Sequence, residues 1–396
     1  MHQRIYLDNA ATTWPKPPAV YAAVDDYMRA NGAPTGRSVY REAFQAERLV
    51  SDARRLVAQL VGAERPEQVI FTSNGSDSLN LAIHGILRPG DHVVTTVVDH
   101  NSVLRPLRHC QEHRDIRVTH VGCDARGIVD AAEVERALRP DTRLVAVIHG
   151  SNVTGALQPI RQIARITRSR GVLLLVDAAQ TLGHVPLDVR RDQIDLLAAP
   201  GHKGLLGPLG TGLLYLAPGI ESQLEGTRQG GTGTRSEEDR QPDDLPDKYE
   251  PGNHNVPGLA GLAAGVRFVL EQGVDRLRQH QRQLTQQLLE GMSGIAGLTI
   301  HGPRDAERQV GVVSVTLAAY DPQEMASALD ASFRIQVRAG LHCAPHMHRA
   351  LGTLDRGGTV RFSLGPLNTE AEVDATVEAL HQLTSPASHR RPAQQF

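Results

Sequence analysis

Lysine is rare in this chain, and one lysine stands where covalent chemistry is favoured. Lys16, Lys203 and Lys248 are the only lysines, and the other 39 of the 42 basic residues are arginine. Lys203 follows the apolar run Ile194–Ala199, and open α/β sheets bind ligands in the crevice at the C-terminal ends of their strands. A lysine amine with a lowered pKa can form a Schiff base, which arginine cannot. A solvated loop lysine is the alternative.

A carboxylate ends another apolar run. Asp177 directly follows Val172–Val176, and Gln180 stands three residues later. A carboxylate at the tip of a buried strand is unfavourable unless a cation pairs with it. The protonated ring nitrogen of pyridoxal 5'-phosphate (PLP) is such a cation, and an acid beside it keeps the ring protonated as an electron sink. A helix N-cap is the alternative role for Asp177.

Two further strand ends carry residues that suit the same cofactor. Residues 73–76 (Ser-Asn-Gly-Ser) lie between a predicted strand and a predicted helix, and the free N–H groups of a helix N-terminus bind phosphate. Gly75 and Ser76 are therefore candidate phosphate ligands. His100 follows the next strand, where a structural histidine is the alternative to a catalytic one. With Asp177 and Lys203, these residues predict one PLP site at one edge of a sheet.

Cys343 lies in a basic segment, 338–348 (Arg-Ala-Gly-Leu-His-Cys-Ala-Pro-His-Met-His). Arg338 and the nearby histidines could lower the thiol pKa from its free value of about 8.5 and make Cys343 nucleophilic. A small buried hydrophobic residue is one alternative, and a metal ligand together with His346 and His348 is another. Arg361 lies in a predicted strand, where it could grip a substrate carboxylate bidentately or form a structural ion pair.

These residues are positioned by short apolar runs that alternate with longer segments of helical periodicity. Such alternation, with Val-, Leu- and Ile-rich strands, predicts an α/β domain with a mostly parallel sheet buried on both faces. The predicted strands are Gln68–Thr72, His92–Val97, Ile116–Val121, Leu144–His149, Val172–Val176, Ile194–Ala199 and Gly212–Leu216. The predicted helices are Tyr40–Val61, Ser76–Leu87, Ser102–His113, Ala131–Leu138 and Ile160–Arg170.

The pattern then changes twice. The stretch Gly226–Asn255, with Gly-Gly-Thr-Gly-Thr at 230–234, has no regular periodicity, and we expect a functional loop near the site. From residue 256 onward the pattern predicts a smaller α+β domain. Its elements are helices Val256–Glu271, Val274–Ser293, Pro322–Ser332 and Thr369–Leu383 and strands Leu298–His301, Gly311–Thr316 and Thr359–Ser363. The predicted organisation is a segment 1–17 near the small domain, a large domain 18–257, a small domain 258–384 and a disordered tail 385–396.

Composition and charge argue against several classes of protein. The net charge of −2 over 396 residues gives no electrostatic reason to expect nucleic acid or an anionic membrane as a partner. No apolar run approaches ~18 residues, and the N-terminus lacks the apolar region of a signal peptide. The cysteines Cys110, Cys123 and Cys343 form neither a disulfide framework nor a zinc pattern. We therefore expect a cytoplasmic enzyme without a bound metal.

Five motifs, taken in order, resemble the cysteine desulfurase/selenocysteine lyase family of PLP-dependent, class V aminotransferase-fold enzymes. They are Tyr-Leu-Asp-Asn-Ala-Ala-Thr-Thr at 6–13, His-Gly-Ser-Asn-Val-Thr-Gly at 149–155, Asp-Ala-Ala-Gln at 177–180, Gly-His-Lys at 201–203 and Gly-Leu-His-Cys-Ala at 340–344. The resemblance covers nearly the whole chain. It implies the fold-type-I architecture, a large domain with a mostly parallel, seven-stranded sheet plus a smaller C-terminal α+β domain. The cysteine segment is similar to that of the group with a short cysteine loop.

The resemblance implies a role for each matched residue. Lys203 forms the Schiff base and moves the substrate Cα proton, and Cys343 takes sulfur from L-cysteine as a persulfide, leaving L-alanine. The implied cofactor contacts are Asp177 to the pyridinium nitrogen, Gln180 to the phenolic oxygen, His100 on the ring, and Gly75, Ser76 and His202 at the phosphate. The implied substrate contacts are Asn152, Arg361 and Arg338. The family is homodimeric, and its short-loop members often pass sulfur to an acceptor protein.

Two positions depart from the family pattern. Pro200 stands where relatives often have Ser or Thr, and Asn253 stands where they have a Thr that contacts the phosphate across the dimer interface. Each lost hydrogen bond to a charged group is worth roughly 1.5–3 kcal/mol. The alternatives are another PLP reaction (selenocysteine lyase, C–S lyase or aminotransferase) and a catalytically silent scaffold that binds a sulfur carrier. The sequence leaves the substrate, the sulfur acceptor and the pathway open.

Overall fold

A computed structural model of the chain describes residues 4–36 and 38–384, so the predicted tail 385–396 lies outside the described residues. The helices are α1 (Pro18–Ala30), α2 (Arg41–Val61), α3 (Gly75–Ile86), α4 (Asn101–His113), α5 (Ala131–Ala137), α6 (Ile160–Ser169), α7 (Val256–Gln272), α8 (Val274–Met292), α9 (Pro322–Phe333), α10 (Pro345–Ala350) and α11 (Glu370–Thr384). The strands are β1 (Ile5–Tyr6), β2 (Val69–Thr72), β3 (His92–Thr96), β4 (Arg117–Val121), β5 (Thr142–Ile148), β6 (Leu173–Asp177), β7 (Leu196–Pro200), β8 (Gly212–Leu216), β9 (Leu298–His301), β10 (Val312–Leu317), β11 (Ile335–Gln336), β12 (Arg338–Gly340) and β13 (Thr359–Ser363).

Seven strands form the central sheet, in the order β2-β8-β7-β6-β5-β3-β4. Strand β8 runs antiparallel to both of its neighbours, and the other neighbouring pairs are parallel. One face packs against a core that includes α2, α6 and α7, and the other face packs against α3 and α4. Burial on both faces explains the continuous apolar runs of these strands. The prediction of a mostly parallel, seven-stranded α/β sheet is confirmed.

Helix α7 packs closely against the loop that carries Lys203. A Cβ at Gly265 would lie 2.3 Å from the carbonyl oxygen of Leu205, and one at Gly261 would lie 2.7 Å from Cγ of Pro208. These glycines therefore allow the helix to approach the backbone of the loop. Because α7 contacts α1 and α2, its apolar residues join the core of the large sheet. The predicted domain boundary at 257/258 falls inside this helix.

The small domain is built on an antiparallel sheet of order β12-β13-β10-β9. Helices α8, α9 and α11 contribute apolar side chains to its separate core. The N-terminal segment joins this domain, because β1 pairs with β11 in parallel and the N–H of Ser363 donates to the carbonyl of Leu7 at 2.7 Å. The segment then continues toward the large domain.

Residues 223–255, which lie in the described part of the chain, form no helix or strand. A buried ion pair anchors this segment: Arg54 donates two hydrogen bonds of 2.7 Å to Glu250. Nε2 of His254 lies 2.7 Å from Oε2 of the same carboxylate, which also accepts from Arg54. Among the described residues, no helix is long and apolar enough to cross a membrane.

Candidate active site

A cavity opens at the edge of the central sheet where the strands β2, β3, β5, β6 and β7 end. Parallel strands deliver their C-terminal ends to one edge, which is where open α/β sheets bind ligands. The predicted site residues that line it are Gly75, Ser76, His100, Asn152, Asp177, Gln180, His202 and Lys203. The predicted residues outside its lining are Cys343, Arg338, Arg361 and Asn253.

Lys203 lies in the hairpin that connects β7 to β8, inside the cavity. Burial lowers the pKa of its amine to about 8, and the nearby Asp177 carboxylate partly opposes that shift. A buried amine with this pKa is neutral in a useful fraction of molecules near pH 7 to 8. Lys203 is therefore suited to nucleophilic attack on a carbonyl group.

The N-terminal segment holds the peptide that carries Lys203. The N–H of Thr13 donates to the carbonyl of His202 at 3.1 Å, and the Thr13 hydroxyl donates to the carbonyl of Lys203 at 3.1 Å. Lys16 donates from Nζ to the same His202 carbonyl at 3.2 Å, and burial lowers the pKa of this second lysine to about 8. These bonds fix the backbone from which the Lys203 side chain extends.

Asp177 is the last residue of β6 and is 3% exposed. Its Oδ1 accepts one hydrogen bond, from the N–H of Ala179 at 2.9 Å. Burial raises the pKa of this carboxyl, whereas the Ala179 bond and the Lys203 charge lower it. Gln180 lies beside it and donates from Nε2 to the carbonyl of Ala10 at 3.0 Å. A buried carboxylate with so few partners is suited to a cationic ligand group.

His100 caps the N-terminus of α4. Its Nδ1 accepts from the N–H of Ser102 at 3.0 Å and lies 2.9 Å from the Ser102 hydroxyl. Because a backbone N–H only donates, Nδ1 is bare and the neutral ring carries its proton on Nε2. Burial, followed by the positive charges of Lys203 and Arg338, lowers the pKa of His100 to about 4. The ring is therefore neutral across the physiological range.

The N-terminus of α3 forms the end of the cavity that is suited to phosphate. Ser76 lies in the first turn, and its hydroxyl is 2.6 Å from that of Ser102. A Cβ at Gly75 would lie 3.1 Å from Cδ of Pro200, so only glycine fits against the proline without a shift. Nδ1 of His202 is buried without a hydrogen-bond partner among the described residues. This end of the cavity therefore combines a helix N-terminus with a buried ring nitrogen that has no partner among the described residues.

Arg361 is 2% exposed and lies on β13, behind the cavity. It donates to Oδ1 of Asp8 at 2.9 Å and to the carbonyl of Asn152 at 3.1 Å. Its Nε has no partner among the described residues, and neither has Oδ1 of Asn152. The sequence left a structural ion pair as the alternative to substrate binding, and the guanidinium does form such a pair with Asp8. Its Nε–H nevertheless stays available to a ligand. Arg338 lies opposite Arg361 in the antiparallel register of β12 and β13.

Cys343 lies in the turn between β12 and α10, beside the cavity. Its carbonyl accepts from the N–H of Asn101 at 2.7 Å, next to His100. Burial lowers the pKa of the neighbouring Arg361, and the Asp8 carboxylate is the main group that raises it. The described residues include no group of three or more His, Cys, Asp or Glu side chains that could hold a metal ion.

Asn253 is exposed in the long segment 223–255 and does not line the cavity of its own chain. The sequence did not indicate Ser102 or the Asp8–Arg361 pair. Ser102 stands two positions after His100 at the start of a predicted helix, and this spacing could have indicated that the two residues form the helix cap together. The ion pair joins residues 353 positions apart, and only the fold brings them together.

Comparison with known proteins agrees with this geometry. The family model described as "Aminotransferase class-V" matches residues 5–376. The chain belongs to the class-V aminotransferase family. Members of this family are PLP-dependent enzymes, and the chain is therefore an enzyme of the fold-type-I class, as the motifs predicted. 

Several class-V relatives resemble the chain over most of its length. A "Probable cysteine desulfurase" of Methanothermobacter thermautotrophicus is 37% identical over 387 residues, covering 97% of this chain and 95% of that protein. The "Cysteine desulfurase IscS" of Vibrio cholerae is 33% identical, covering 95% of this chain and 91% of that protein. The apo structure of a cysteine desulfurase from Thermococcus onnurineus has a TM-score of 0.90 at 32% identity, covering 96% of this chain and 94% of that chain.

Proposed function

We propose that this protein is a PLP-dependent cysteine desulfurase that passes the sulfur of L-cysteine to Cys343 and releases L-alanine. The observation that carries the proposal is the position of Cys343, whose backbone carbonyl accepts from the N–H of Asn101, next to His100 in the lining of a cavity that contains Lys203 and Asp177. The relatives and the solved structure described above are all named cysteine desulfurases. The matched position of the thiol favours sulfur transfer over the other PLP reactions.

The residues of the cavity fit PLP on three independent grounds. Lys203 supplies a buried amine for covalent attachment, and Asp177 supplies a buried carboxylate that accepts a hydrogen bond from the N–H of Ala179. The α3 N-terminus, with Gly75 and Ser76, supplies donors for a phosphate, and the helix dipole favours an anion there. His202 adds a buried ring nitrogen without a partner among the described residues.

PLP, when bound, supplies an electron sink that stabilises negative charge at the substrate Cα. Asp177 would keep the ring nitrogen protonated, and Gln180 would donate to the phenolic oxygen. Lys203, with its buried amine, would move the Cα proton. His100 is neutral with its proton on Nε2, and would pack on the ring. Pro200 offers neither a hydroxyl nor an N–H at this end of the cavity.

The substrate carboxylate would be bound by Arg361 and Asn152, with Arg338 adding positive charge. Arg361 keeps its Nε free while two other contacts hold the guanidinium in place. The amide nitrogen of Asn152 carries two hydrogens, and the hydrogen bond to the carbonyl of His342 uses one of them. The remaining donors could therefore hold a carboxylate without dismantling the existing contacts.

The sulfur step balances without any added oxidant or reductant. The thiolate of Cys343 attacks the sulfur of the bound cysteine, a sulfur–sulfur bond forms and the Cβ–S bond breaks. The electron pair of the broken bond stays with the substrate carbon skeleton, which gains a proton in place of sulfur and leaves as L-alanine. Cys343 is left as a persulfide, from which an acceptor protein or a small thiol removes the sulfur.

The proposal includes a homodimer. Large apolar side chains are exposed on α1 and around the start of α2, where burial against a second copy would remove them from water. The segment that contains Asn253 is anchored by the buried Arg54–Glu250 pair but stays away from the cavity of its own chain. We expect Asn253 to contact the phosphate in the other subunit.

The first test is the absorbance spectrum of the purified protein before and after L-cysteine, with alanine and sulfide assayed together. Wild-type protein is expected to show a cofactor band that shifts with cysteine and to form both products. Cys343→Ala is expected to keep the band but lose alanine formation, and full activity in that variant would contradict the persulfide step. Formation of pyruvate and ammonia would instead indicate a C–S lyase, and transfer of the amino group to a second substrate would indicate an aminotransferase. A preference for selenocysteine in a parallel assay would indicate a selenocysteine lyase. A protein that stays colourless with added PLP would indicate a silent scaffold.

A further inference from the structure

The turn that carries Cys343 has an unfavourable backbone conformation. His342 has a φ of 47° and Cys343 a φ of 59°, so two consecutive residues with side chains lie in the left-handed region. That region is disfavoured for residues with a Cβ, because the Cβ approaches the carbonyl oxygen too closely. Strained backbone of this kind persists only where surrounding contacts hold it, and such places concentrate at functional sites.

Two hydrogen bonds hold the backbone of the turn from the large-domain side. Asn152 donates from Nδ2 to the carbonyl of His342 at 2.5 Å, and the N–H of Asn101 donates to the carbonyl of Cys343 at 2.7 Å. Asn101 is the first residue of α4, and Asn152 lies in the loop after β5. Both successive carbonyls of the strained turn are therefore fixed by the large domain, one by Asn152, which lines the cavity, and one by Asn101, which lies between two lining residues in the sequence.

A third contact holds the turn from the small-domain side. The His342 ring is 3% exposed, and its Nε2 lies 3.1 Å from both the carbonyl oxygen and the hydroxyl of Thr359 on β13. A carbonyl only accepts, so Nε2 carries the proton and donates it. Burial lowers the pKa of His342 to about 2, and the ring therefore stays neutral. Thr359 itself is completely buried, which gives the ring a rigid support.

We propose that His342 is a positioning residue for Cys343, whose side chain pins the strained turn to β13 so that the sulfur keeps one position at the cavity edge. This inference rests on the proposed function, in which Cys343 accepts the sulfur. It adds that the nucleophile is held by a clamp of three contacts, of which the His342–Thr359 contact lies within the small domain and outside the lining of the cavity. Asn152 belongs to both the clamp and the proposed carboxylate site, so a bound substrate and the turn share one side chain.

The test compares His342→Leu, which removes the donor, with His342→Gln, whose amide can replace it. His301→Leu is the matched control, because it removes a similar 3.0 Å contact to Thr316 on β9 and β10, at the other edge of the same sheet. Thr359→Val, which removes only the hydroxyl, is a milder variant that is expected to fold if His342→Leu does not. Each protein is loaded with PLP, and the cofactor band verifies its loading.

Two readouts are measured on every variant. The first is hydrogen exchange of the peptide covering residues 338–344 in the absence of cysteine, which reports how firmly the turn is held. The second is the single-turnover rate at which Cys343 gains one sulfur atom, followed by mass spectrometry. We expect His342→Leu to exchange roughly tenfold faster and to accept sulfur roughly tenfold more slowly, since one buried hydrogen bond is lost. The cofactor band should still respond to cysteine within about twofold of wild type, as expected for a change outside the cofactor contacts.

The pattern across variants decides the inference. Recovery in His342→Gln, a smaller effect of the same sign in Thr359→Val and wild-type behaviour in His301→Leu would support it. Unchanged exchange and unchanged sulfur transfer in His342→Leu would overturn it, as would an equal loss in His301→Leu. If the wild-type protein forms no persulfide at all, the proposed function has failed, and the hydrogen-exchange comparison alone then decides whether His342 holds the turn.

Discussion

The two interpretations of Arg361 can be separated by a pair of substitutions. Arg361→Met removes the guanidinium, whereas Asp8→Asn removes the partner charge and leaves the guanidinium in place. Both break the same 2.9 Å ion pair. Losing one partner of a buried pair typically costs 3–5 kcal/mol, but the Asp8 side chain is 23% exposed, so we expect both variants to lose about 2–3 kcal/mol of unfolding free energy.

The effect on substrate affinity should differ between the two variants. If Arg361 binds the substrate carboxylate, its removal costs a charge-assisted hydrogen bond of about 1.5–3 kcal/mol, equivalent to a rise of about 10- to 150-fold in the KM for L-cysteine. Asp8→Asn should change KM by less than about threefold, because the guanidinium donors remain. The assay is alanine formation against cysteine concentration, with chemical denaturation measured in parallel. Equal increases in KM would refute the substrate role and leave Arg361 as a structural ion pair.

Three further outcomes follow from the buried charges. Because attachment needs the neutral amine and burial lowers the pKa of Lys203 to about 8, the stopped-flow rate of PLP attachment to the apo protein should rise about tenfold from pH 6 to 7 and level off above pH 8; a rate independent of pH would contradict this. Asp177→Asn should weaken PLP binding about 10- to 100-fold in an equilibrium absorbance titration, and unchanged affinity would remove Asp177 from the site. Glu250→Gln leaves Arg54 without its buried partner and should cost about 3–5 kcal/mol in denaturant unfolding, whereas an unchanged midpoint would mean that the pair does not stabilise the long segment.

Local patterns in the sequence predicted most of the fold. The predicted strands and helices agree with the observed ones to within two residues at each end, because apolar runs and helical periodicity are local signals. Helix α1 was missed, since it buries only Val20 and Tyr27 and its polar and small residues give a weak pattern. Strands β1 and β11 were also missed. Each has only two residues, and the two strands pair with each other although they are far apart in the sequence.

The sequence also predicted which residues form the candidate site, but not the contacts that orient them. Residues that follow a buried strand, such as Asp177 and Lys203, could be assigned to one sheet edge from local patterns alone. The contacts that orient them could not, because they join distant segments: Lys16 reaches the carbonyl of His202 across 186 positions, and Asn152 reaches the turn of Cys343 across 190. Side-chain type indicates which chemistry is available, whereas the geometry that makes it usable depends on tertiary packing.

The antiparallel strand β8 has a consequence for how an elongated, anionic ligand is oriented. After β2 and β3 the chain enters helices α3 and α4, and a helix N-terminus carries a partial positive charge of roughly half a unit. After β7 the chain instead turns back through a hairpin to β8, so no helix directly follows the strand that leads to Lys203. The end of the cavity beside α3 and α4 is therefore electropositive through its peptide dipoles, whereas Lys203 lies on a connection between two strands. The connectivity of the sheet thus discriminates between two end-for-end orientations of the ligand before any side chain contributes.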